Sequence, residues 1–161
     1  MVHPGEMRRL LVPVKGTEGD PRVIELLTHF ATQQSVAFTL VYVVEVQQSM
    51  ALDAELPAEI EHGERVLRAA ETLAHQRLGA LDKHHRVTTE LLQARSAGSA
   101  IVDEAIERSS EAIVMAARIR KRHGKTTVGE TVNYVLKNAP CEVIVVRLAP
   151  HPDQLGGRLP A

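Results

Sequence analysis

The chain has 161 residues, 44% of them hydrophobic and 24% charged, a balance typical of one folded domain that excludes wholesale disorder. Its formal net charge of −1 and its 2% of aromatic residues give no general basis for binding nucleic acid or an anionic membrane. The single cysteine, Cys141, excludes an intramolecular disulfide, and no apolar run approaches the roughly 20 residues of a membrane helix. We therefore expect a cytoplasmic protein without membrane insertion.

In the first half of the chain, short apolar runs alternate with segments of helical periodicity. Residues 10–14 predict a buried strand that ends at Lys15, and the spacing of apolar residues after Asp20 predicts a helix that ends near Gln34. Residues 37–44 are β-branched and continuously apolar, which indicates a second strand buried on both faces. Two parallel strands joined by a helix follow from this pattern.

The second half of the chain continues the alternation. Residues 45–57 predict a loop, and a stripe of apolar residues from Pro57 to Leu81 predicts a long amphipathic helix. The remaining elements are strands at residues 87–94, 112–116 and 141–146 and helices at residues 98–109 and 131–138. Residues 1–147 are therefore predicted to form one domain, and residues 148–161, which lack periodicity, a disordered tail.

Five buried strands alternating with helices predict an α/β fold, a single doubly wound open sheet of five parallel strands with helices on both faces. A barrel would need eight strands, and the chain has room for about five βα units. Ligands of such sheets bind at the carboxyl ends of the strands, where the crossovers change direction. The loops expected to matter are residues 15–20, 45–57, 95–98 and 117–128.

The loop after the fourth strand is strongly basic. It carries five cationic residues within eight positions and no acidic residue before Glu130: Arg118, Arg120, Lys121, Arg122 and Lys125. It leads into a helix N-terminus at Gly129, where backbone amides and the helix dipole favour an anion. Two interpretations stay open, an anion-binding loop and a solvated run of charge.

Motifs for catalysis or metal binding are weak in this chain. The Gly-Lys-Thr segment that starts at Gly124 lacks the earlier glycine of a phosphate loop, because Ile119 occupies that position. No serine has a partner histidine, and the pair His84 and His85 has no third ligand at metal spacing. We predict no catalytic residue, no metal site and no turnover.

The C-terminal third of the chain combines residues 113–116 (Ile-Val-Met-Ala), Gly129 before a short helix, and residues 138–146 (Asn-Ala-Pro-Cys-Glu-Val-Ile-Val-Val). In the order and spacing of these segments it resembles the universal stress protein family, of the adenine-nucleotide alpha-hydrolase-like superfamily. Residues 11–18 and residues 98–101 resemble the family too, so the similarity covers about residues 8–147. Residues 53–57 and 95–98 are similar to family domains that accompany amino-acid permeases.

The resemblance implies a strand order of 3-2-1-4-5 and a homodimer paired through the fifth strand, residues 141–146, which begins at Cys141. An exposed apolar edge would otherwise invite aggregation. The resemblance also implies a regulatory, stress-response module that binds an adenine nucleotide such as ATP, AMP or a cyclic nucleotide. Such a module would indicate to a signalling partner or a transporter whether the nucleotide is bound. The alternative is a homodimeric scaffold without a ligand that interacts with a protein partner.

The nucleotide motif of the family departs from its usual residues here. Nucleotide-binding members carry a Gly, two residues, a second Gly, nine residues, and then Gly-Ser or Gly-Thr. Ala116, Ile119 and Gly129 occupy the three glycine positions, and Glu130 stands where a hydroxyl would face phosphate. Lys15 stands where the family usually has Asp. Ile119 adds bulk and Glu130 adds negative charge, whereas Lys15 adds positive charge, so pocket remodelling and pocket loss both stay open.

The predicted binding site therefore relies on side-chain charge. Lys15 and Arg118, with help from Arg120 or Lys125, are expected to contact the anion. An apolar slot for the base is expected from Pro13, Val14, Val43 and Met115. The other candidate residues lie at strand ends and helix starts: Arg95, Gly98, Ala116, Gly129, Glu130 and Thr131.

Overall fold

The computed structural model of the protein describes residues 8–81 and 84–150. In chain order the elements are β1 (Arg9–Pro13), α1 (Gly19–Ala31), β2 (Ala37–Glu45), α2 (Pro57–Leu78), β3 (Arg86–Ala94), α3 (Ala97–Glu107), β4 (Ala112–Ala117), β5 (Arg120–Arg122), β6 (Lys125–Thr127), α4 (Glu130–Asn138) and β7 (Glu142–Arg147). None of the helices in these ranges combines the length and the hydropathy that a transmembrane span requires.

Five of the strands form one parallel sheet in the order β3-β2-β1-β4-β7. The predicted α/β fold is thereby confirmed, and so is the order 3-2-1-4-5, with β7 as the fifth strand of the sheet. The chain runs outward from β1 to β3 and then crosses back to β4 beside β1. The crossovers change direction between β1 and β4, and the carboxyl ends of these two strands diverge there.

The hydrophobic core has one layer on each face of the sheet. Leu10 and Val12 of β1 contribute to the layer covered by α1 and α2, whereas Leu11 contributes to the layer covered by α3 and α4. Leu11 and Val12 are fully buried, because β1 is a central strand with helices on both sides. A strand in this position must be apolar at every residue, which is why the strands appear as continuous apolar runs in the sequence.

Several helices end earlier than their periodicity predicts. The first helix ends at Ala31 and not near Gln34, and α2 ends at Leu78, just before Gly79. Glycine is a poor helix former, so the apolar stripe that continues to Leu81 does not extend the helix. Ser109 has a φ of 51°, which takes the chain out of the helical region after α3.

The connection from β4 to α4, predicted as a loop, contains an antiparallel β-hairpin. Arg120 is paired with Thr127, and the two-residue turn consists of His123 and Gly124, with φ of 53° and 74°. Turns with positive φ at both central residues match the twist of a hairpin, and glycine favours them. The dipeptide ending in Gly124 was the available signal for this hairpin.

The predicted tail, residues 148–161, lies largely outside the described residues, which end at 150. Within the described part, the amide of Leu148 donates to the carbonyl oxygen of Ala117 at 2.8 Å. The chain therefore continues beside β4 for at least one residue beyond β7. The domain boundary after residue 147 stays a prediction.

Candidate functional site

Two neighbouring clefts open at the carboxyl edge of the sheet, where β1 and β4 diverge. The wide cleft, of about 390 Å³, lies between the ends of β1 and β2 and the helices α2 and α3. The narrow cleft, of about 160 Å³, lies between the end of β4, the hairpin and the start of α4. Lys15 and Thr131 line both clefts, so the two spaces adjoin. This is the position at which doubly wound sheets bind their ligands.

The wide cleft combines an apolar floor with a polar rim. Its apolar lining is Pro13, Val14, Val41, Val43, Val44 and Ile101. The rim carries Glu45 from the end of β2 and Glu59 from the first turn of α2. Oε1 of Glu45 accepts a hydrogen bond from the amide of Ala97 at 2.9 Å, which ties the end of β2 to the start of α3. An apolar slot with a few polar groups at its edge is the usual form of a small-molecule site.

The narrow cleft brings cationic side chains to the start of α4. Lys15, Arg118 and Arg120 line it, and Glu130 contributes a negative charge. Gly129, the residue before α4, has a φ of 97°, a conformation that residues with a side chain rarely adopt. The backbone therefore requires glycine at this position whether or not a phosphate binds there.

The turn that carries Lys15 is held by Asp20. The carboxylate of Asp20 accepts hydrogen bonds from the amides of Lys15 and Gly16, at 3.0 and 2.7 Å. Burial raises the pKa of Asp20, and these hydrogen bonds oppose the rise. Burial and the charge of Arg120 lower the pKa of Lys15, while the charges of Glu45 and Asp20 oppose that shift.

The guanidinium of Arg118 is engaged within the protein. Its Nη2 forms an ion pair with Oε1 of Glu18, and its Nη1 lies 3.5 Å from the carbonyl oxygen of Ala149. The Arg118 side chain is 23% exposed, so it still faces the narrow cleft. An anion in this cleft must therefore share Arg118 with Glu18 or displace it.

Ten of the fourteen candidate residues lie in one cleft or the other, and four do not. The ten are Pro13, Val14, Lys15, Val43, Ala116, Arg118, Arg120, Gly129, Glu130 and Thr131. Met115 is 1% exposed and packs in the core layer under α3 and α4, below the cleft floor. Lys125 lies on the exposed hairpin and does not line the narrow cleft.

Arg95 and Gly98, the other two candidate residues outside the clefts, have structural contacts of their own. The guanidinium of Arg95 donates to the carbonyl oxygen of Gln47, which fixes the chain after β2. A Cβ on Gly98 would lie 2.8 Å from the Cβ of Tyr134, so glycine allows α3 to pack closely against α4. Neither residue lines the wide cleft, although Ala97 between them does.

Several residues that line the clefts were not predicted from the sequence. Glu45 directly follows the second predicted strand, and an acidic residue at that position was the signal that could have found it. Glu59 carried no such signal, because its place in the cleft depends on how α2 returns after the loop. Leu148 also lines the narrow cleft, although the sequence placed it in the tail.

Comparison with known proteins gives one family and many similar folds. A model of the universal stress protein family matches residues 6–147. A universal stress protein from Archaeoglobus fulgidus, 20% identical, has a TM-score of 0.69 over 86% of this chain and 98% of its own. One from Lactobacillus plantarum, 26% identical, has a TM-score of 0.61 over 88% of this chain and 98% of its own. A search of curated proteins gives no match.

Some of the similar structures contain adenine nucleotides. The universal stress protein from Archaeoglobus fulgidus in complex with dAMP is 18% identical, with a TM-score of 0.66 over 86% of this chain and 97% of its own. Similar folds occur in a universal stress protein in complex with cAMP and in an Arabidopsis thaliana family protein with AMP bound, with TM-scores of 0.61 and 0.57. The family model spans residues 6–147, and the sheet has the strand order that the resemblance implies, so this chain belongs to the universal stress protein family.

Proposed function

We propose that this protein is a regulatory module that binds an adenine nucleotide or a related phosphate and does not turn it over. The observation that carries the proposal is the junction of an apolar cleft with a cationic one at Lys15 and Thr131. The apolar floor suits a base, and the cationic side chains beside the start of α4 suit a phosphate. The dAMP, cAMP and AMP complexes of structural relatives support adenine nucleotides as the ligands to test first.

In this proposal side-chain charge holds the phosphate. Lys15 and Arg120 supply positive charge at the narrow cleft, and Arg118 adds to it once Glu18 is displaced. Ile119 takes the place of a motif glycine, so a close approach of the backbone to phosphate is not expected there. The base lies against Pro13, Val14 and Val43.

Calorimetric titration of the full chain with AMP, ATP and cAMP tests the proposal. We expect one of them to bind, and we expect Lys15→Ala and Arg118→Ala each to weaken binding by about ten- to a hundredfold, since charged hydrogen bonds contribute about 1.5 to 3 kcal/mol. Lys137→Ala, at an exposed position in the last turn of α4, is the matched control and should bind as the wild type does. If no nucleotide binds, or if both variants bind unchanged, the clefts are not a nucleotide site.

A phosphate-release assay with ATP tests the absence of turnover. We expect no release above the background of protein-free buffer. Release that persists in the purified wild type and disappears in Lys15→Ala would show that the protein is an enzyme.

A scaffold without a ligand is the second candidate function. It is favoured by the Arg118–Glu18 ion pair and by Glu130, which both oppose an anion in the narrow cleft. Mass spectrometry of small molecules released from purified protein separates the two candidates. Recovery of an adenine nucleotide favours the regulatory module that binds a nucleotide. Dimeric protein that releases no nucleotide favours the scaffold.

Assembly and partners are part of the same proposal. The strand β7 has β4 as its one neighbour within the described ranges, and Val143, Ile144, Val145 and Val146 are half-buried. We propose that this edge pairs with a second copy across a two-fold axis. A cytoplasmic location and a transporter as the partner rest on the single cysteine and on the resemblance at residues 53–57 and 95–98, and both stay proposals.

A further inference from the structure

Lys15 lies at the junction of the two clefts, beside the groups that suit a phosphate. We propose that Lys15 is an acyl-acceptor lysine, modified by mixed anhydrides of a carboxylic acid and a phosphate. Acyl phosphates and acyl adenylates share this chemistry. The case for acyl adenylates rests on the proposed function, because it needs the adenosine part to occupy the wide cleft, whereas the case for acyl phosphates does not.

The backbone position of Lys15 is set by the structure. The carboxylate of Asp20 accepts hydrogen bonds from the amide of Lys15 at 3.0 Å and from the amide of Gly16 at 2.7 Å. These hydrogen bonds fix the backbone of Lys15 in the turn after β1. From there it lines both the wide and the narrow cleft. Because Lys15 lines the narrow cleft together with Arg118 and Arg120, we expect an anhydride whose phosphate lies between these arginines to place its acyl group near the Lys15 amine.

The surroundings of Lys15 increase the neutral, nucleophilic fraction of its amine. Burial lowers the pKa of its amine, and the charge of Arg120 lowers it further. The carboxylates and guanidinium that also face this junction are Glu45, Asp20, Glu59, Glu130 and Arg118. Glu45 and Asp20 oppose the shift, but the net direction is downward, so a larger fraction of Lys15 is unprotonated than of a lysine with the ordinary pKa of 10.5 at the same pH.

The reaction is an acyl transfer that needs no further reagent. The lone pair of Lys15 Nζ attacks the carbonyl carbon of the anhydride, a C–N bond forms, and the bond between the acyl carbon and the phosphate oxygen breaks. The phosphate or AMP leaves with the bonding electrons, and the proton lost from nitrogen goes to the leaving group or to water. The product is an amide at Lys15 without charge.

Acylation would change how the site binds anions. The amide lacks the positive charge that the proposed function assigns to Lys15. Modified protein would therefore bind a nucleotide more weakly, so the chemical state of one lysine would report on reactive acyl donors.

The test is the acylation rate at each lysine of the full-length protein. Protein is treated with acetyl phosphate in one arm and acetyl adenylate in the other at about pH 8, and modified peptides are quantified by mass spectrometry. We expect Lys15 to react at least about threefold faster than Lys137, which is exposed in the last turn of α4. In denaturant the advantage should vanish, because it arises from the folded cleft.

The matched variant is Arg120→Gln, at an exposed position of the hairpin. It should slow Lys15 at least about threefold while leaving Lys137 unchanged, since it removes both a phosphate contact and the charge that disfavours the ammonium. If Lys15 reacts fast with acetyl adenylate and AMP blocks this reaction, the acyl donor is an acyl adenylate. If Lys15 reacts fast only with acetyl phosphate, the donor is an acyl phosphate.

The outcomes separate this proposal from the proposed function. If calorimetry shows no nucleotide binding and Lys15 still reacts fast with acetyl phosphate, the proposed function fails and the acyl acceptor stands. If Lys15 reacts no faster than Lys137 in both arms, or keeps its advantage in denaturant, the acyl-acceptor proposal is overturned.

Discussion

At the scale of single residues, the narrow cleft is a balance of opposing charges. Arg118 faces the cleft, but Glu18 pairs with it from the start of α1. Glu130 adds a second carboxylate at the start of α4. The number of cationic residues in the basic loop therefore overstates the positive charge that an incoming phosphate meets, because acidic side chains from other elements compensate part of it.

Replacing Glu18 should strengthen anion binding. In Glu18→Gln the competing carboxylate is removed, so Arg118 can bind a phosphate without displacing an ion pair. We expect the affinity for AMP to increase by about three- to tenfold, as measured by calorimetry. The control is Glu25→Gln, which removes an exposed carboxylate of α1 that pairs with Arg22 outside the clefts. Equal effects of the two variants would show that the Arg118–Glu18 pair does not compete with the ligand.

The lowered pKa of Lys15 should also appear as a pH dependence of binding. Anion binding needs the charged ammonium, and a pKa below 10.5 means that this charge is lost at lower pH than for an ordinary lysine. Affinity for AMP should therefore decrease as pH rises from about 8 toward 10.5, a range in which the phosphate, with a second pKa near 6, stays doubly charged. Lys15→Arg keeps its charge throughout and should show a flat profile by calorimetry. A flat profile in the wild type would contradict a role for the Lys15 ammonium.

At the scale of elements, the hairpin of β5 and β6 presents the basic residues on an ordered ribbon. Its turn requires positive φ at His123 and Gly124, and Arg120, Lys121 and Lys125 on its strands are exposed. The register pairs Arg120 with Thr127, which holds Arg120 at the base of the hairpin beside Lys15. Order in the turn therefore determines where one of the proposed phosphate contacts lies.

Changes in the hairpin turn should act locally. Gly124→Ala places a side chain at a φ of 74°, which costs about 1 kcal/mol and should increase amide exchange in β5 and β6, measured by hydrogen exchange. His123→Asn, which suits a positive φ better, should decrease exchange there. The midpoint of global unfolding should stay the same in both variants, since the hairpin lies outside the main sheet. A large shift of that midpoint would contradict the independence of the hairpin.

At the scale of the whole molecule, the sheet has two edges of different character. The edge strand β3 carries Thr88 and Glu90, whereas β7 carries four consecutive aliphatic residues that are half-buried. Apolar edges of this kind tend to pair with another strand, and polar side chains on an edge discourage such pairing. The two edges therefore differ in what they can bind, and β7 is the one suited to a second copy of the chain.

Sedimentation at micromolar concentration tests this assembly. We expect the wild type to be a dimer and Val145→Lys, on β7, to shift it to the monomer, because a charge on the edge opposes pairing. Thr88→Lys makes the same addition on the opposite edge and should leave the dimer intact. Circular dichroism of both variants checks that each is folded. A monomeric wild type, or dissociation by Thr88→Lys alone, would rule out the β7 interface.

The sequence by itself determined the class of fold and predicted the end of the sheet at which a ligand is expected. Continuous apolar runs such as residues 10–14 specify strands buried on both faces, and their alternation with helical periodicity leaves few arrangements. These are local patterns, and each is complete within about ten residues, so they can be recognised without knowing the packing. Lys15 and Arg120 could be chosen in the same way, because charged residues next to strand ends are visible along the chain.

Only the tertiary structure decided which charges meet and which apolar residues face the clefts. Glu18 and Arg118 are far apart in the sequence, and their pairing depends on β1 lying beside β4. Met115 lies two residues before the end of its strand, as Val43 does, yet it packs in the core while Val43 lines the wide cleft. Long-range packing sets these differences, because a cleft exists only between elements, and no local periodicity records how α2 and α4 are placed around the end of β1.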